Sequence, residues 1–224
     1  QDSTGLAGGG SEGFMATIAS STVQSPPTSS PELSFREVAE LCTRGTLKRQ
    51  AERVAGRVAA KRAISELTGA DFSQIEISNL ESGEPVASID GQPGPLITIS
   101  HSGDMAVAAA HPTLRIGIDL EQIEERHPSF ETEWFGANEL ELIKGDAERM
   151  TLAWAAKEAV LKSIGKGMAL NPRDISIRTI NAGRLTVSVS GGVADLIDSL
   201  PVSHLDLRWR KEGTKVLVLA QLAA

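Results

Sequence analysis

Hydrophobic and polar residues alternate with a period of two between residues 116 and 121, and this pattern predicts a β-strand. The apolar face of the strand would carry Ile116, Ile118 and Leu120. The opposite face would carry Gly117, Asp119 and Glu121. One face can therefore pack in a core, while the other presents two carboxylates on the same side of the strand.

A second informative pattern is helical and runs from about residue 149 to residue 164. Glu158 and Lys162 stand four positions apart, so they lie on one face of the helix. Three carboxylates and a lysine suit a hard divalent cation and a phosphate. Each segment alone has a structural explanation as well, namely a solvated strand edge and a surface ion pair.

The rest of the chain predicts an α+β fold. Residues 1–32 are rich in Gly, Ser, Thr and Pro and predict a flexible linker or tag, because they offer little apolar surface to bury. A helix is predicted at 47–68, with its buried stripe at Val54, Val58, Ala59, Ile64 and Leu67. Strands are predicted at 75–79, 85–89, 96–100, 105–110, 175–180, 184–189, 205–210 and 215–220.

Composition narrows the class of protein. The 224 residues are 41% hydrophobic and 23% charged, which is typical of a globular chain with one or two domains. The net charge of −7 argues against nucleic acid or an anionic membrane as the partner. Cys42 is the only cysteine, so no intrachain disulfide can form, and we expect a cytoplasmic protein.

A third element, Ile99-Ser100-His101-Ser102-Gly103, precedes the carboxylate strand. These elements, in this order, resemble 4′-phosphopantetheinyl transferases of the Sfp type, in the holo-[acyl-carrier-protein] synthase superfamily. The family's Gly-x-Asp-x-Glu strand and Trp-x-x-Lys-Glu-x-x-x-Lys helix are intact here at 117–121 and 154–162. The resemblance covers roughly residues 52–219.

The resemblance implies two similar α+β lobes related by a pseudo-twofold axis: residues 33–115, which would bind coenzyme A, and residues 116–224, which would hold the metal and the catalytic helix. The chain would be a pseudo-dimeric monomer or a domain of a larger synthase. It would transfer the 4′-phosphopantetheine arm of coenzyme A to a serine of an apo acyl- or peptidyl-carrier protein and release adenosine 3′,5′-bisphosphate. The alternative is a catalytically degenerate domain that binds coenzyme A or a carrier protein.

The resemblance also assigns roles to particular residues. Mg²⁺, with Mn²⁺ as a substitute, would be bound by Asp119, Glu121 and Glu158. Asp119, Glu158 and Lys162 would be catalytic, and the base that takes the serine proton is left open between Glu158 and a metal-bound water. Coenzyme A would be contacted by Ser100, His101 and Lys162. Lys157 lies about 100° around the helix from Glu158, so it is a further coenzyme candidate that would point to the nucleotide or to solvent.

Two regions depart from the family pattern or leave alternatives open. The family binds the coenzyme 3′-phosphate partly through a Gly-Lys/Arg-Pro element, which is Gly83-Glu84-Pro85 here, so Arg53, Arg57 and Lys61 are the candidate substitutes unless they form a solvated helix face. The first strand of many family members is not evident. Residues 126–148 form an insert between the two motifs, in which Phe130, Trp134 and Phe135 either contact a carrier protein or cover the core. The candidate basic residues for a carrier contact are Arg126, Lys144 and Arg149.

Overall fold

The structure is a computed structural model that describes residues 16–24, 30–43, 45–165, 169–202 and 204–223. The chain divides into two compact units, residues 1–113 and residues 114–224. Both units contain helices and antiparallel strands, which confirms the α+β class. No helix in the described ranges is both long and apolar enough to cross a membrane.

In its described residues, the first unit contains two helices and two small sheets. Its elements are β1 (Thr17–Thr22), α1 (Phe35–Leu41), α2 (Leu47–Thr68), β2 (Ile75–Asn79), β3 (Pro85–Ile89), β4 (Gln92–Pro93), β5 (Leu96–Ser102) and β6 (Met105–His111). The strands form one sheet in the order β1-β6-β5 and another in the order β2-β3-β4. The helix predicted at 47–68 is confirmed as α2.

Helix α2 is specified by its caps and by a stripe of small residues. The Thr46 hydroxyl accepts a hydrogen bond from the Arg49 backbone N–H at 3.3 Å, and Gly69 ends the helix in the left-handed region with φ of 77°. The inner face of α2 packs on β1 and β6, where alternate positions of β6 are alanine. Small side chains on both surfaces let the helix lie close to the sheet, and the core residues are Ala19, Ala59, Ala60, Ala63, Ile64, Ile75, Ile97, Ala108 and Ala110.

The prediction of a linker or tag over residues 1–32 is wrong for the part that forms β1. Strand β1 pairs in antiparallel register with β6, from Thr17 opposite Ala110 to Thr22 opposite Met105. Most residues of β1 are small or polar, yet the strand is held by backbone pairing with β6 and by the burial of Ile18 and Ala19. The first strand that did not appear in the sequence pattern is therefore present. Residues 1–15 and 25–29 of the predicted linker lie outside the described residues.

The second unit is built on one five-stranded antiparallel sheet. Its elements are β7 (Arg115–Gln122), α3 (Pro128–Trp134), α4 (Ala137–Ile143), α5 (Ala147–Ile164), β8 (Ile175–Asn181), β9 (Arg184–Val189), α6 (Gly191–Asp198), β10 (His204–Glu212) and β11 (Lys215–Ala223). The strand order is β7-β11-β10-β9-β8. Helices α3 and α6 were not among the predicted elements. The pseudo-twofold relation between the units stays a prediction.

Helix α5 lies closely against β7 because Gly117 has no side chain. A Cβ atom at residue 117 would overlap the Ala159 carbonyl oxygen of α5 and would lie 2.5 Å from the Ser163 backbone nitrogen. Both faces of β7 are buried: Ile118 is 0% exposed and Asp119 is 3% exposed. The sequence pattern therefore identified the correct two faces, but the polar face points to a helix rather than to solvent.

Candidate functional site

Strand β7 and helix α5 bring the predicted charged residues together. Lys162 Nζ on α5 lies 2.7 Å from Asp119 Oδ1 on β7, and it also donates a hydrogen bond to the Ile118 carbonyl oxygen at 3.2 Å. Asp119 shares its face of the strand with Gly117, so the close approach of the helix at Gly117 brings Lys162 within reach of the carboxylate. Glu158 precedes Lys162 by one turn of α5.

The three carboxylates influence one another electrostatically. Burial, and then the Asp119 charge, raise the pKa of Glu121 to about 6, against the opposing charges of Arg126 and Lys162. Burial, and then Asp119, also raise the pKa of Glu158 above its usual range, while Lys162 opposes this effect. The group is therefore a partly desolvated cluster of negative charge, which a cation of higher charge would stabilise.

Two cations hold two of these carboxylates. Lys162 pairs with Asp119, and Arg126 Nη2 lies 3.0 Å from Glu121 Oε2 while its Nη1 lies 3.2 Å from Glu124 Oε1. The Arg126 guanidinium also lies 5.2 Å from the centre of the Phe130 ring. Arg126 is a contact of Glu121 that the sequence did not indicate.

The donor chemistry of this cluster fits a hard divalent cation, because carboxylate oxygens are the ligands that Mg²⁺ and Mn²⁺ prefer. In the described part of the chain, however, no three His, Cys, Asp or Glu side chains are gathered into a metal cage. Lys162 engages Asp119, and Arg126 engages Glu121. The metal-ligand set of Asp119, Glu121 and Glu158 stays a prediction.

The prediction that Lys157 contacts coenzyme A is contradicted by its burial. Lys157 is 0% exposed, and its Nζ lies 3.0 Å from Glu139 Oε1 and 2.9 Å from the Trp134 carbonyl oxygen. Nζ also lies 4.7 Å from the centre of the Phe135 ring. All of these contacts lie in the interior of the second unit. Glu139 was missed by the sequence analysis, although a lysine whose neighbours on the helix are Ala153, Val160 and Leu161 already indicated an internal partner.

The predicted coenzyme residues of β5 differ in exposure. Ser100 is buried, whereas the His101 side chain is 43% exposed, with Nδ1 lying 3.9 Å from Glu52 Oε2. Glu52 lies on α2 and also faces Lys48, at 3.9 Å. His101 is therefore at the surface of the first unit, beside a carboxylate.

The three predicted cations of α2 have different surroundings. Lys61 is 3% exposed, and its Nζ lies 2.7 Å from Glu37 Oε1 and 3.0 Å from the Phe72 carbonyl oxygen. The Lys61 ammonium is therefore buried and engaged by other groups of the first unit, so the assignment of Lys61 to coenzyme A is contradicted. Arg53 Nε donates to the Leu41 carbonyl oxygen at 3.0 Å and is only half-buried.

Arg57 reaches the turn that carries the altered family element. It donates a hydrogen bond through Nη2 to Asn79 Oδ1, and Asn79 Nδ2 donates to the Gly83 carbonyl oxygen at 3.0 Å. Within the described residues, Arg57 Nη1 is buried and has no hydrogen-bond partner. A cation thus stands beside the 83–85 turn, although Glu84 occupies the expected position of a basic residue.

The aromatic residues of the insert pack on the catalytic-motif helix. The Phe130 and Trp134 rings lie with their centres 5.0 and 5.5 Å from the Trp154 ring, and Phe135 is 2% exposed. All are part of, or packed against, the main core of the second unit. The structure therefore supports a core-covering role for Phe135. Phe130 and Trp134 are partly exposed.

A protein-family model and a curated relative indicate the same family for this chain. A protein-family model described as "4'-phosphopantetheinyl transferase superfamily" matches residues 115–211. The chain is 30% identical over 159 residues to "4'-phosphopantetheinyl transferase Sfp" of Bacillus subtilis (strain 168), which covers 68% of this chain and 70% of that protein. A solved structure of Helicobacter pylori holo-[acyl-carrier-protein] synthase in complex with coenzyme A matches with 19% identity and a TM-score of 0.42, covering 48% of this chain and 99% of that one.

Several relatives are considerably longer than the matched region. An "L-aminoadipate-semialdehyde dehydrogenase-phosphopantetheinyl transferase" of Pongo abelii is 30% identical over 131 residues, which are 51% of this chain but only 42% of that protein. A "Phosphopantetheinyl transferase" of a Thraustochytrium strain is 27% identical, with 68% of this chain and 59% of that protein covered. The chain therefore spans about half the length of these curated relatives.

Proposed function

Because the chain belongs to the 4′-phosphopantetheinyl transferase superfamily, we propose that it transfers the 4′-phosphopantetheine arm of coenzyme A to a serine hydroxyl of an apo acyl- or peptidyl-carrier protein. The observation that carries this proposal is the convergence of Asp119, Glu158 and Lys162 at the contact of β7 with α5. Family membership alone would fit a protein that only binds coenzyme A.

The reaction is a displacement at the phosphorus that carries the pantetheine arm. The serine oxygen forms a new bond to this phosphorus, the bridging P–O bond of the pyrophosphate breaks, and adenosine 3′,5′-bisphosphate leaves with the bond electrons. The serine proton must pass to a base. Glu158 is a candidate for this role, because it is a carboxylate that stands one turn of α5 from Lys162.

Lys162 is placed to stabilise the leaving group. Its ammonium lies beside Asp119 and is 27% exposed, so it can meet a phosphate that approaches the site from solvent. A compact positive charge at the departing phosphate lowers the cost of the charge that develops there. Asp119 holds this ammonium in position through the 2.7 Å contact.

Asp119, Glu121 and Glu158 would hold the divalent cation. The raised pKa of Glu121 and of Glu158 supports this assignment, because neighbouring carboxylates that repel one another gain most from a shared cation. When bound, Mg²⁺ or Mn²⁺ supplies positive charge to the pyrophosphate oxygens.

Arg57 is the residue of α2 best suited to the coenzyme 3′-phosphate. Arg57 is only half-buried, and Asn79 holds its guanidinium beside the turn at residues 83–85. Arginine suits a phosphate because its planar fork can donate two parallel hydrogen bonds. Ser100 and His101 are proposed to contact the phosphates of the same ligand.

The experiment is carrier modification followed by mass spectrometry. The protein is incubated with coenzyme A, Mg²⁺ and several apo carrier proteins of the acyl and peptidyl types, and a carrier should gain the mass of one phosphopantetheine. Glu158→Gln should abolish the gain. Glu148→Gln is the matched control, because Glu148 lies on the same helix and pairs with Lys211 at 2.5 Å.

Two results would contradict the proposal. If no carrier of any type is modified, the proposed transfer activity is refuted. Coenzyme A binding measured in the same samples would then favour the alternative, a domain that binds coenzyme A without transferring its arm. A Glu158→Gln protein that still modifies its carrier would leave transfer in place but would remove Glu158 from the reaction.

A further inference from the structure

The C-terminal end of α3 is held by two cations from other elements. Lys157 Nζ donates to the Trp134 carbonyl oxygen at 2.9 Å, and Arg173 Nη1 donates to the Thr132 and Glu133 carbonyl oxygens at 3.0 and 3.1 Å. The last carbonyls of a helix have no partner within the helix, and they carry its negative partial charge. Three consecutive acceptors of α3 are thus held by α5 and by the turn before β8.

Glu139 connects Lys157 to two further elements. Its Oε1 accepts a hydrogen bond from the Ile177 backbone N–H of β8 at 3.0 Å, and its Oε2 accepts one from the Gly136 backbone N–H at the start of α4 at 2.9 Å. Both oxygens also face Lys157 Nζ, at 3.0 and 3.3 Å. The pair, which we name the Lys157–Glu139 hub, therefore joins α3, α4, α5 and β8 in the interior.

The hub is linked to the carboxylate cluster along two routes. Along α5, Lys157 is adjacent to Glu158, so fixing the rotation of the helix at one residue fixes it at the next. Through α3, Trp134 and Phe130 pack on Trp154, and Phe130 lies under the Arg126 guanidinium that pairs with Glu121.

We propose that Lys157 and Glu139 are positioning residues, which hold α3 and α4 in one orientation against α5 so that Arg126 and Glu158 keep their places in the carboxylate cluster. This inference rests on the proposed transfer reaction for its catalytic readout. Neither residue contacts the reacting groups, since both are buried.

Stability alone does not explain the hub. The cost of taking two charges out of water offsets most of the attraction between them, so an apolar pair in the same place can be equally stable. An ammonium with three directed donors fixes orientation in a way that an apolar side chain cannot, because it must meet Glu139 and the Trp134 carbonyl oxygen at the same time.

The test compares single and double variants. Lys157→Met and Glu139→Gln each leave a buried polar group without its partner and should lower the melting temperature, whereas the double variant should recover much of this loss. The recovered double variant should still have a carrier kcat/KM reduced by at least about tenfold, because a small displacement of reacting groups is costly. Its tryptophan fluorescence should also change, because Trp134 and Trp154 lie beside the hub.

A second double variant separates positioning from the loss of an ion pair elsewhere in the chain, at a pair in which only the carboxylate is buried. Arg62 Nη2 lies 2.5 Å from Glu32 Oε1 in the first unit, and Arg62 Nη1 donates to the Ser20 carbonyl oxygen at 3.0 Å. Arg62→Met with Glu32→Gln should change neither the tryptophan spectrum nor the carrier kcat/KM. A hub double variant that behaves like this control would overturn the proposal.

Arg173→Gln covers the case in which the hub variants do not fold. Arg173 is exposed, so its loss should leave the protein folded, yet it removes two of the three bonds to the end of α3. The tryptophan spectrum and the carrier kcat/KM of Arg173→Gln should shift in the same direction as those of the hub double variant. If both are unchanged from the parent protein, the proposal is contradicted. If the parent chain modifies no carrier, the transfer reaction is refuted, while the tryptophan spectra still decide whether the hub orients α3.

Discussion

The two units of this chain differ in how their predicted charged residues are held. In the second unit, Asp119, Glu158 and Lys162 meet where a helix lies against a strand, and the approach is fixed by backbone atoms at Gly117. In the first unit, the candidate cations lie along one long helix, and Lys61 has an internal carboxylate partner.

The difference shows which kind of site a sequence motif can specify. A short strand and a helix with fixed periodicities determine which side chains share a face, so convergence follows once the two elements pack. The end of a long cationic side chain is not determined in this way, because its partner can come from any neighbouring element. Asn79, the partner of Arg57, is 22 residues away in sequence.

Loss of the Asp119 charge should reduce activity more than any other change, and it would test whether the convergence of Asp119, Glu158 and Lys162 matters for transfer. Asp119→Asn keeps the shape but removes the ion pair with Lys162, so we expect carrier modification to fall by about 10³-fold. Initial rates give the measurement. Asp206→Asn is the control, because Asp206 is also ion-paired in the second unit, with Arg208 at 3.0 Å. Equal rates for the two variants would show that the convergence is not catalytic.

A side chain at residue 117 should break the contact that creates the convergence. In Gly117→Ala, the new methyl group meets the backbone of α5, which we expect to lower the free energy of unfolding by about 3 kcal/mol. Urea titration measures this loss. Gly192→Ala is the matched control, because its Cβ would lie 3.4 Å from Leu170 Cδ2, an ordinary contact. A stable Gly117→Ala protein would mean that α5 can move away from β7.

The raised pKa of Glu121 should make its effect on stability depend on pH. The folded protein holds a proton on Glu121 up to about pH 6, whereas the unfolded chain releases it near 4.5, so ionised Glu121 destabilises the fold above this window. Glu121→Gln should therefore gain stability relative to the parent between these values, by about 2 kcal/mol. Chemical unfolding of both proteins across this range, without divalent cations, gives the difference. A constant difference would contradict the raised pKa.

Replacing a cation of α2 should have the smallest effect on the reaction. It would test whether the cations of the first unit matter less than the charged residues of the second unit. Arg57→Gln should raise the KM for coenzyme A by about tenfold, which corresponds to one charge-assisted hydrogen bond. Arg49→Gln is the control, since Arg49 is exposed on the same helix. Steady-state kinetics with varied coenzyme A give both values. If Arg49→Gln and Arg57→Gln are equally mild, Arg57 does not bind the 3′-phosphate.

Most of the regular elements and the core of the candidate site were predictable from the sequence. The period-two strand and the helix at 149–164 showed which residues share a face, and the family resemblance implied that Asp119 and Lys162 belong to one site; the structure has their side-chain atoms 2.7 Å apart. The helix at 47–68 was predictable because its N-cap Thr46 and its C-cap Gly69 bound an apolar stripe.

Three features could not be predicted for identifiable reasons. Strand β1 is formed largely of small and polar residues, so its pairing with β6 leaves little trace in hydropathy. The apolar neighbours of Lys157 on its helix indicate an internal partner, but they do not identify Glu139, which lies 18 residues earlier on a different helix. The pairing of Arg126 with Glu121 depends on the path of an irregular segment, for which the sequence has no periodicity.

Strand β1 also has a practical consequence for anyone who shortens this chain. It covers one edge of β6 along its length, and the Val23 backbone N–H extends the contact to the Asp104 carbonyl oxygen at 2.8 Å. An uncovered strand edge is a template for pairing with another copy of the same chain. Truncation beyond residue 16 would therefore expose this edge of β6 and cause the first unit to self-associate. A shortened protein should keep the residues of β1 to remain in solution.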